Sequence, residues 1–183
     1  NSHPHLSNNG KLSIIHNGII ENYATIKAEL ETRGHTFNSN TDTEVLIHLI
    51  EEIYKNENTE LVEAVRLALR EVNGAYAIVI MDKDNPNELI AARKGSPMVI
   101  GVGKGEYFIA SDATPIIEYT KNVIYLNDNE IANIKRDELI IKRLDNVVQT
   151  PYIQELELKL ETLEKGGYDH FMLKEIFEQP RSV

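Results

Sequence analysis

Cysteine and tryptophan are both absent from this sequence of 183 residues. Without cysteine the chain cannot form disulfides or thiolate metal sites, and it offers no cysteine nucleophile. This composition suits a reducing compartment, and we expect a cytoplasmic protein. Long hydrophobic runs are also absent: apolar stretches such as 75–81 are far shorter than the roughly 20 residues that cross a bilayer. No leader-like segment is evident, so we expect no membrane partner.

Basic residues are scarce relative to acidic ones. The 19 lysines and arginines face 29 aspartates and glutamates, giving a formal charge of -10, and the basic residues do not form a stripe. We therefore expect no nucleic-acid partner. The chain is 42% apolar and 26% charged. This balance and length predict one compact domain that buries roughly two-thirds of its unfolded surface.

Three helices are predicted in the first half of the chain. Apolar residues at helical spacing follow residue 22, and Gly34 stands where a left-handed C-terminal cap would fall. Thr41 and Glu44 form a capping-box pattern ahead of a strongly amphipathic segment. Thr59 is predicted to open the third helix.

Short β-rich segments separated by turn residues dominate the second half, which predicts antiparallel hairpins. The predicted strands are 75–81, 88–93, 98–102, 106–110, 122–126, 130–135 and 138–144. One helical turn is predicted at 113–118 and a final helix at 169–178. The resulting fold class is α+β, with helices packed on antiparallel sheets.

The tripeptide His16-Asn17-Gly18 lies at the end of a predicted buried strand at 11–16. We expect this strand to stop at Asn17 and Gly18. Asparagine followed by glycine usually makes a hairpin turn, yet a helix is predicted next. The side-chain amide of Asn17 and the N–H of Gly18 are neutral donors that could form an oxyanion hole. A plain turn remains the alternative, and the spacing alone favours it.

Asp42 lies at the start of the second predicted helix. A carboxylate there is favoured by the helix dipole, typically by about 0.3–1 kcal/mol, so helix capping is one interpretation. Thr41 already provides a capping side chain, which leaves Asp42 available to bind the ammonium group of a substrate. Both interpretations stay open at this point.

A metal site is not expected. His3 and His5 could supply two ligands, but a site needs one or two more, and the other histidines (16, 35, 48 and 170) show no supporting spacing. We expect neither a metal nor a cofactor.

Several segments resemble the glutaminase domain of the glutamine–fructose-6-phosphate aminotransferase family. In chain order they are NSHPH at 1–5, HNGIIEN at 16–22, TDTEV at 41–45, GSPMVIG at 95–101 and FIASD at 108–112. The segment FMLKEIFEQP at 171–180 resembles the connection from that domain to the sugar isomerase part. The resemblance covers essentially the whole chain.

This resemblance implies an N-terminal-nucleophile hydrolase-like fold, a four-layer αββα sandwich. It implies a partial glutaminase domain over 1–168, and an exit helix with the start of a linker over 169–183. The family releases ammonia from L-glutamine to convert fructose 6-phosphate to glucosamine 6-phosphate. By motif, Asn17 and Gly18 would form the oxyanion hole, and Asp42 would hold the ammonium group of glutamine.

The family's nucleophile is an N-terminal cysteine, which this sequence lacks. The family's carboxylate-binding arginine loop and its isomerase domains are not found in the sequence either. We therefore expect an N-terminally truncated fragment that is inactive alone. Its expected partners are the missing N-terminal segment, the sugar isomerase domains of the same chain, and a second copy in a homodimer.

Alternatives to this interpretation are a non-catalytic binding or regulatory module on the same scaffold and another class II amidotransferase, such as amidophosphoribosyltransferase. The isomerase-type exit segment favours the aminotransferase. A truncated sheet would expose an unpaired strand, and the strand at 11–16 is the predicted edge.

Overall fold

The computed structural model describes residues 2–156, 172–173 and 176–177. Its helices are α1 (Tyr23–Thr32), α2 (Asp42–Asn56) and α3 (Leu61–Glu71). Its strands are β1 (His5–Leu6), β2 (Leu12–Ile20), β3 (Gly74–Asp82), β4 (Asn85–Lys94), β5 (Val99–Val102), β6 (Tyr107–Ala110), β7 (Asn122–Tyr125), β8 (Glu130–Lys135), β9 (Glu138–Arg143), β10 (Val148–Gln149) and β11 (Gln154–Glu155).

The strands form two sheets whose ladders are all antiparallel. The larger sheet has seven strands in the order β1-β2-β3-β4-β8-β9-β10, and the smaller has four in the order β11-β7-β5-β6. Hairpins join β3 to β4, β5 to β6 and β8 to β9, which confirms the predicted hairpin region.

Strand β2 is longer than the sequence predicts. It runs through Asn17 and Gly18 to Ile20, so the prediction that it ends at this dipeptide is wrong. Each of its nine residues has a partner in β3, from Leu12 opposite Asp82 to Ile20 opposite Gly74. Pairing with a strand more than 50 residues away therefore overrides the local turn signal of Asn-Gly.

The three helices lie close to their predicted positions. Gly34 has a φ of +90° directly after the C-cap of α1, which confirms the predicted left-handed ending. Thr41 caps α2, as predicted. The third helix has Glu60 rather than Thr59 as its N-cap, and Glu60 makes no side-chain capping bond. The segment 113–118 contains hydrogen-bonded turns and is not assigned as a helix.

Apolar side chains fill the spaces between the layers. One cluster joins the helices to the seven-stranded sheet through residues such as Ile14, Leu46 and Val65. A second lies between the two sheets, where Ile100 meets Ile134 and their neighbours. A third, around Val99, Ile116 and Val123, lies on the outer face of the smaller sheet. The described part is thus a layered α+β sandwich, as the resemblance implies.

Two predictions fall largely on residues that the structure does not describe. The boundary at 168 lies outside the described residues, and so does most of the predicted helix at 169–178. Only residues 172–173 and 176–177 of that segment are described, and they are helical. Across the described ranges, no helix is both long and apolar enough to span a bilayer.

Candidate functional site

A cleft of about 580 Å³ opens between the two sheets, beside the second half of β2. Ile15 and Asn17 line it from β2, and Tyr107 and Ile109 line it from β6. Because alternate residues of a strand face the same side, Asn17 shares the cleft face with Ile15, which is 49% exposed. The Asn17 amide is therefore one of the few polar groups on an otherwise apolar wall.

Gly18 has a backbone conformation that other residues rarely adopt. Its φ is +144°, and a Cβ atom built on it would lie 2.1 Å from the carbonyl oxygen of Ala75. Gly74, the partner of Ile20 on β3, is constrained in the same way: a Cβ there would clash with the carbonyl oxygen of Ile19 at 2.1 Å. The two strands approach so closely that only glycine fits at both positions.

Asp42 is tied to the end of β2. The N–H of Ile20 donates to Asp42 Oδ2 at 2.7 Å, so this N–H faces away from β3. Since N–H groups alternate in direction along a strand, the N–H of Gly18 faces the same open side. Asp42 Oδ1 has no hydrogen-bond partner among the described residues. The Gly18 N–H, a donor, therefore lies two residues along the strand from the point at which the Asp42 carboxylate is bound.

The N-terminus of α2 is held firmly from the loop before it. Thr41 Oγ1 accepts from the N–H of Glu44 at 3.4 Å, which is the first half of the predicted capping box. The Glu44 carboxylate does not complete the box. It accepts instead from the N–H groups of Asn38, at 2.8 Å, and Ser39, at 2.7 Å, and from the Ser39 hydroxyl.

His16 faces the helices, on the opposite side of β2 from Asn17. Its Nδ1 lies 2.9 Å from Thr43 Oγ1, and both side chains are buried. Burial lowers the pKa of His16; the nearby Asp42 carboxylate raises it in part, and His3 and His5 lower it further. The ring is therefore neutral near pH 7.

Tyr76 pairs with Gly18 across the ladder and is fully buried. Burial, with a smaller contribution from Asp128, raises the pKa of Tyr76 to about 12. The phenol is therefore neutral at physiological pH and cannot serve as a general base there.

His3 and Ser111 also line the cleft, and the His3 ring lies edge-to-face with the ring of His5 on β1, with the ring centroids 5.3 Å apart. Thr41 Oγ1 lies 3.5 Å from His5 Nδ1. In the part of the chain that is described, no group of three or more His, Asp or Glu side chains could hold a metal ion.

Of the three residues named from the sequence, Asn17 and Gly18 lie on β2, and Asp42 is hydrogen-bonded to the end of the same strand. The sequence reasoning missed Ile20 and Thr43, which hold these groups in place. Thr43 could have been found from the sequence, because it is a polar residue next to Asp42 in the first turn of a predicted helix. Ile20 could not, since only its backbone N–H takes part.

Two solved structures have a similar fold. A glutamine phosphoribosylpyrophosphate (PRPP) amidotransferase from B. subtilis, complexed with ADP and GMP, superposes with a TM-score of 0.66 at 28% identity, over 79% of this chain and 32% of its own. A structure titled as the allosteric regulatory enzyme of purine biosynthesis has the same TM-score at 29% identity, over 79% of this chain and 31% of its own. The fold is therefore of the N-terminal-nucleophile amidotransferase type.

A sequence profile described as "Glutamine amidotransferase domain" matches residues 1–118. The chain belongs to the glutamine amidotransferase family. Its relatives include the glutamine–fructose-6-phosphate aminotransferase of Bacteroides thetaiotaomicron, 60% identical over 100% of this chain. That of Chlorobaculum tepidum is 54% identical over 98% of this chain. The chain spans 30% of the length of each.

Proposed function

We propose that this chain supplies the oxyanion-binding and ammonium-binding parts of a glutaminase site in a glutamine–fructose-6-phosphate aminotransferase. Asn17 Nδ2 and the Gly18 N–H donate to the oxygen that becomes negative when the carboxamide of glutamine is attacked. Asp42 binds the α-ammonium group through its open oxygen. The observation that carries this proposal is the hydrogen bond between Asp42 and Ile20, which ties the carboxylate to the strand that carries these donors.

The remaining steps need groups from elsewhere. These 183 residues contain no cysteine, so we propose that the attacking thiolate is supplied by residues outside this sequence and that the chain alone does not hydrolyse glutamine. The released ammonia would aminate fructose 6-phosphate in sugar isomerase domains of the same protein. Identity of 60% to such an aminotransferase, against 28% to the amidotransferase structure, favours this acceptor over phosphoribosylpyrophosphate. The homodimer and the cytoplasmic location stay predictions.

Substitution of Asn17 by alanine tests the oxyanion hole. In a full-length aminotransferase that contains this chain, Asn17→Ala should lower the kcat of glutamine hydrolysis by about 10²–10³, the usual loss for one such donor, with little change in KM. Ammonia release measured with a coupled dehydrogenase would report both constants. An unchanged kcat would mean that Asn17 is only a strand residue, and ammonia release by the pure 183-residue chain would contradict its inactivity.

A further inference from the structure

One buried hydrogen bond connects the strand that carries the oxyanion donors to the helix that carries the ammonium-binding carboxylate. His16 Nδ1 and Thr43 Oγ1 are 2.9 Å apart. Along the chain, His16 comes directly before Asn17, and Thr43 directly after Asp42. Each partner is therefore the immediate neighbour of a residue that the proposed function places against glutamine.

The same strand is tied to the same helix a second time. The N–H of Ile20 donates to Asp42 at 2.7 Å, four residues further along β2 than His16. The two bonds bracket Asn17 and Gly18, so the donor pair cannot shift along or away from α2 without breaking one of them.

The helix end that receives both bonds is itself anchored. Glu44 accepts two backbone N–H groups and a hydroxyl from the loop at 38–39, and Thr41 caps the first turn. Because this helix terminus is fixed, the two hydrogen bonds to it also fix the position of β2.

Glutamine would contact both elements at once, with its carboxamide at β2 and its ammonium group at α2. A displacement of about 1 Å between the two elements that hold a substrate can lower the rate roughly 100-fold, because the reacting group is no longer aligned. We propose that His16 and Thr43 are positioning residues that set the distance between the oxyanion donors and the ammonium site. This proposal rests on the glutaminase function proposed above.

The electrostatics of His16 agree with a positioning role. The charged groups and other titratable groups that act on the ring are Asp42, His3 and His5, and the balance with burial keeps it neutral. A protonated ring would compete with the substrate ammonium for the Asp42 charge. Thr43 supplies the side-chain hydrogen bond that orients the ring, and a backbone hydrogen bond with Ala75 on β3 also acts on the ring and raises its pKa in part.

Substitution of Thr43 by valine tests the proposal, because valine keeps the shape and removes the hydroxyl. In a full-length aminotransferase that contains this chain, Thr43→Val should lower the glutaminase kcat about tenfold and raise the KM for glutamine at least about fivefold. Thr43→Ser, which keeps the hydroxyl, should restore both constants to within about twofold. A loss of folded protein would lower kcat alone, so the change in KM identifies positioning.

A threonine in the smaller sheet provides the matched control. Thr120 Oγ1 donates to the Val102 carbonyl at 2.7 Å and accepts from the N–H of Asn122 at 3.1 Å. Neither partner belongs to the proposed glutamine site. Thr120→Val removes both bonds and should leave the KM for glutamine unchanged.

The double variant His16→Leu/Thr43→Val covers the case in which Thr43→Val does not fold. It leaves neither partner unpaired, so stability should recover while KM stays raised. Normal kinetics in either the single or the double variant would overturn the positioning role. If Asp42→Asn and Asn17→Ala were also without effect, the proposed glutaminase function would fail as well, which separates the two results.

Discussion

Asp42 uses its two carboxylate oxygens differently. Oδ2 accepts the backbone N–H of Ile20, and Oδ1 is free of hydrogen bonds in the described chain. Thr41 performs the capping that the sequence left open for Asp42, since its hydroxyl accepts the N–H of Glu44. The carboxylate charge is therefore not required to cap the start of the helix, and it remains available to a cation.

The substitution Asp42→Asn should separate binding from stability. The asparagine oxygen can still accept the Ile20 N–H, so we expect the melting temperature to change little. Loss of the charge should raise the KM for glutamine by roughly 10- to 100-fold, the range for a hydrogen bond to a charged group. Steady-state kinetics and thermal melts of a full-length enzyme that contains this chain would measure both.

Asp84 provides a control for that experiment, because it forms a surface ion pair with Lys11. Asp84→Asn should leave the KM for glutamine unaltered. A large loss of stability in Asp42→Asn together with normal glutamine affinity would favour the helix-capping interpretation.

At the scale of elements, the N-terminus of α2 depends on Glu44. Although burial alone would raise the pKa of Glu44, hydrogen bonds from Ser39 and Asn38 lower it overall. A carboxylate whose pKa is lower in the folded state stabilises the fold above its unfolded pKa, and that stabilisation is lost as the pH falls through the folded pKa.

The substitution Glu44→Gln should therefore destabilise the chain by about 1–3 kcal/mol at pH 7, because an amide cannot accept all three bonds. Urea unfolding of wild type and variant should show this difference shrinking as the pH falls below about 4.3, the usual glutamate pKa. Glu118 is exposed, and Glu118→Gln should leave the unfolding free energy unchanged at both pH values. A constant difference between pH 7 and pH 3 would contradict the role of the ionised carboxylate.

At the scale of the whole molecule, the two sheets are unequal in width, with seven strands against four. The smaller sheet ends at β6, which has no second partner among residues 2–156. The predicted open edge at 11–16 is largely wrong: Ser13 and Ile14 pair with β1, and all of β2 pairs with β3. The open edges nearest the cleft are β6 and the part of β2 beyond β1.

We expect the 183-residue chain to associate in solution through this region. An unpaired strand can form backbone hydrogen bonds with another chain, and an exposed apolar cleft wall is buried by association. Light scattering should report a dimer or a larger species at micromolar concentration. Ile15→Lys places a charge on the cleft face of β2 and should shift the population toward monomer.

Ile153 is a matched control, since it is 52% exposed and Ile15 is 49% exposed. It precedes β11 at the opposite edge of the smaller sheet, so Ile153→Lys should not change the association state. A monodisperse monomer of the unsubstituted chain would show that the β6 edge is already covered.

The sequence by itself determined the features that depend on near neighbours. These features are the cap of α2, the left-handed ending of α1 at Gly34 and the three hairpins. Each depends on residues that are close together in the sequence. Asn17, Gly18 and Asp42 could be named as candidates because amide, glycine and carboxylate each have a known chemical use.

Only the tertiary structure decided how these residues meet. The β2 ladder joins Gly18 to Tyr76, and the two bonds between β2 and α2 join residues 22 and 27 positions apart. No local pattern encodes such pairs, because their energy comes from packing the helices on a sheet whose strands are distant in the chain. For the same reason the Asn17-Gly18 dipeptide is extended strand here, although its local preference is a turn.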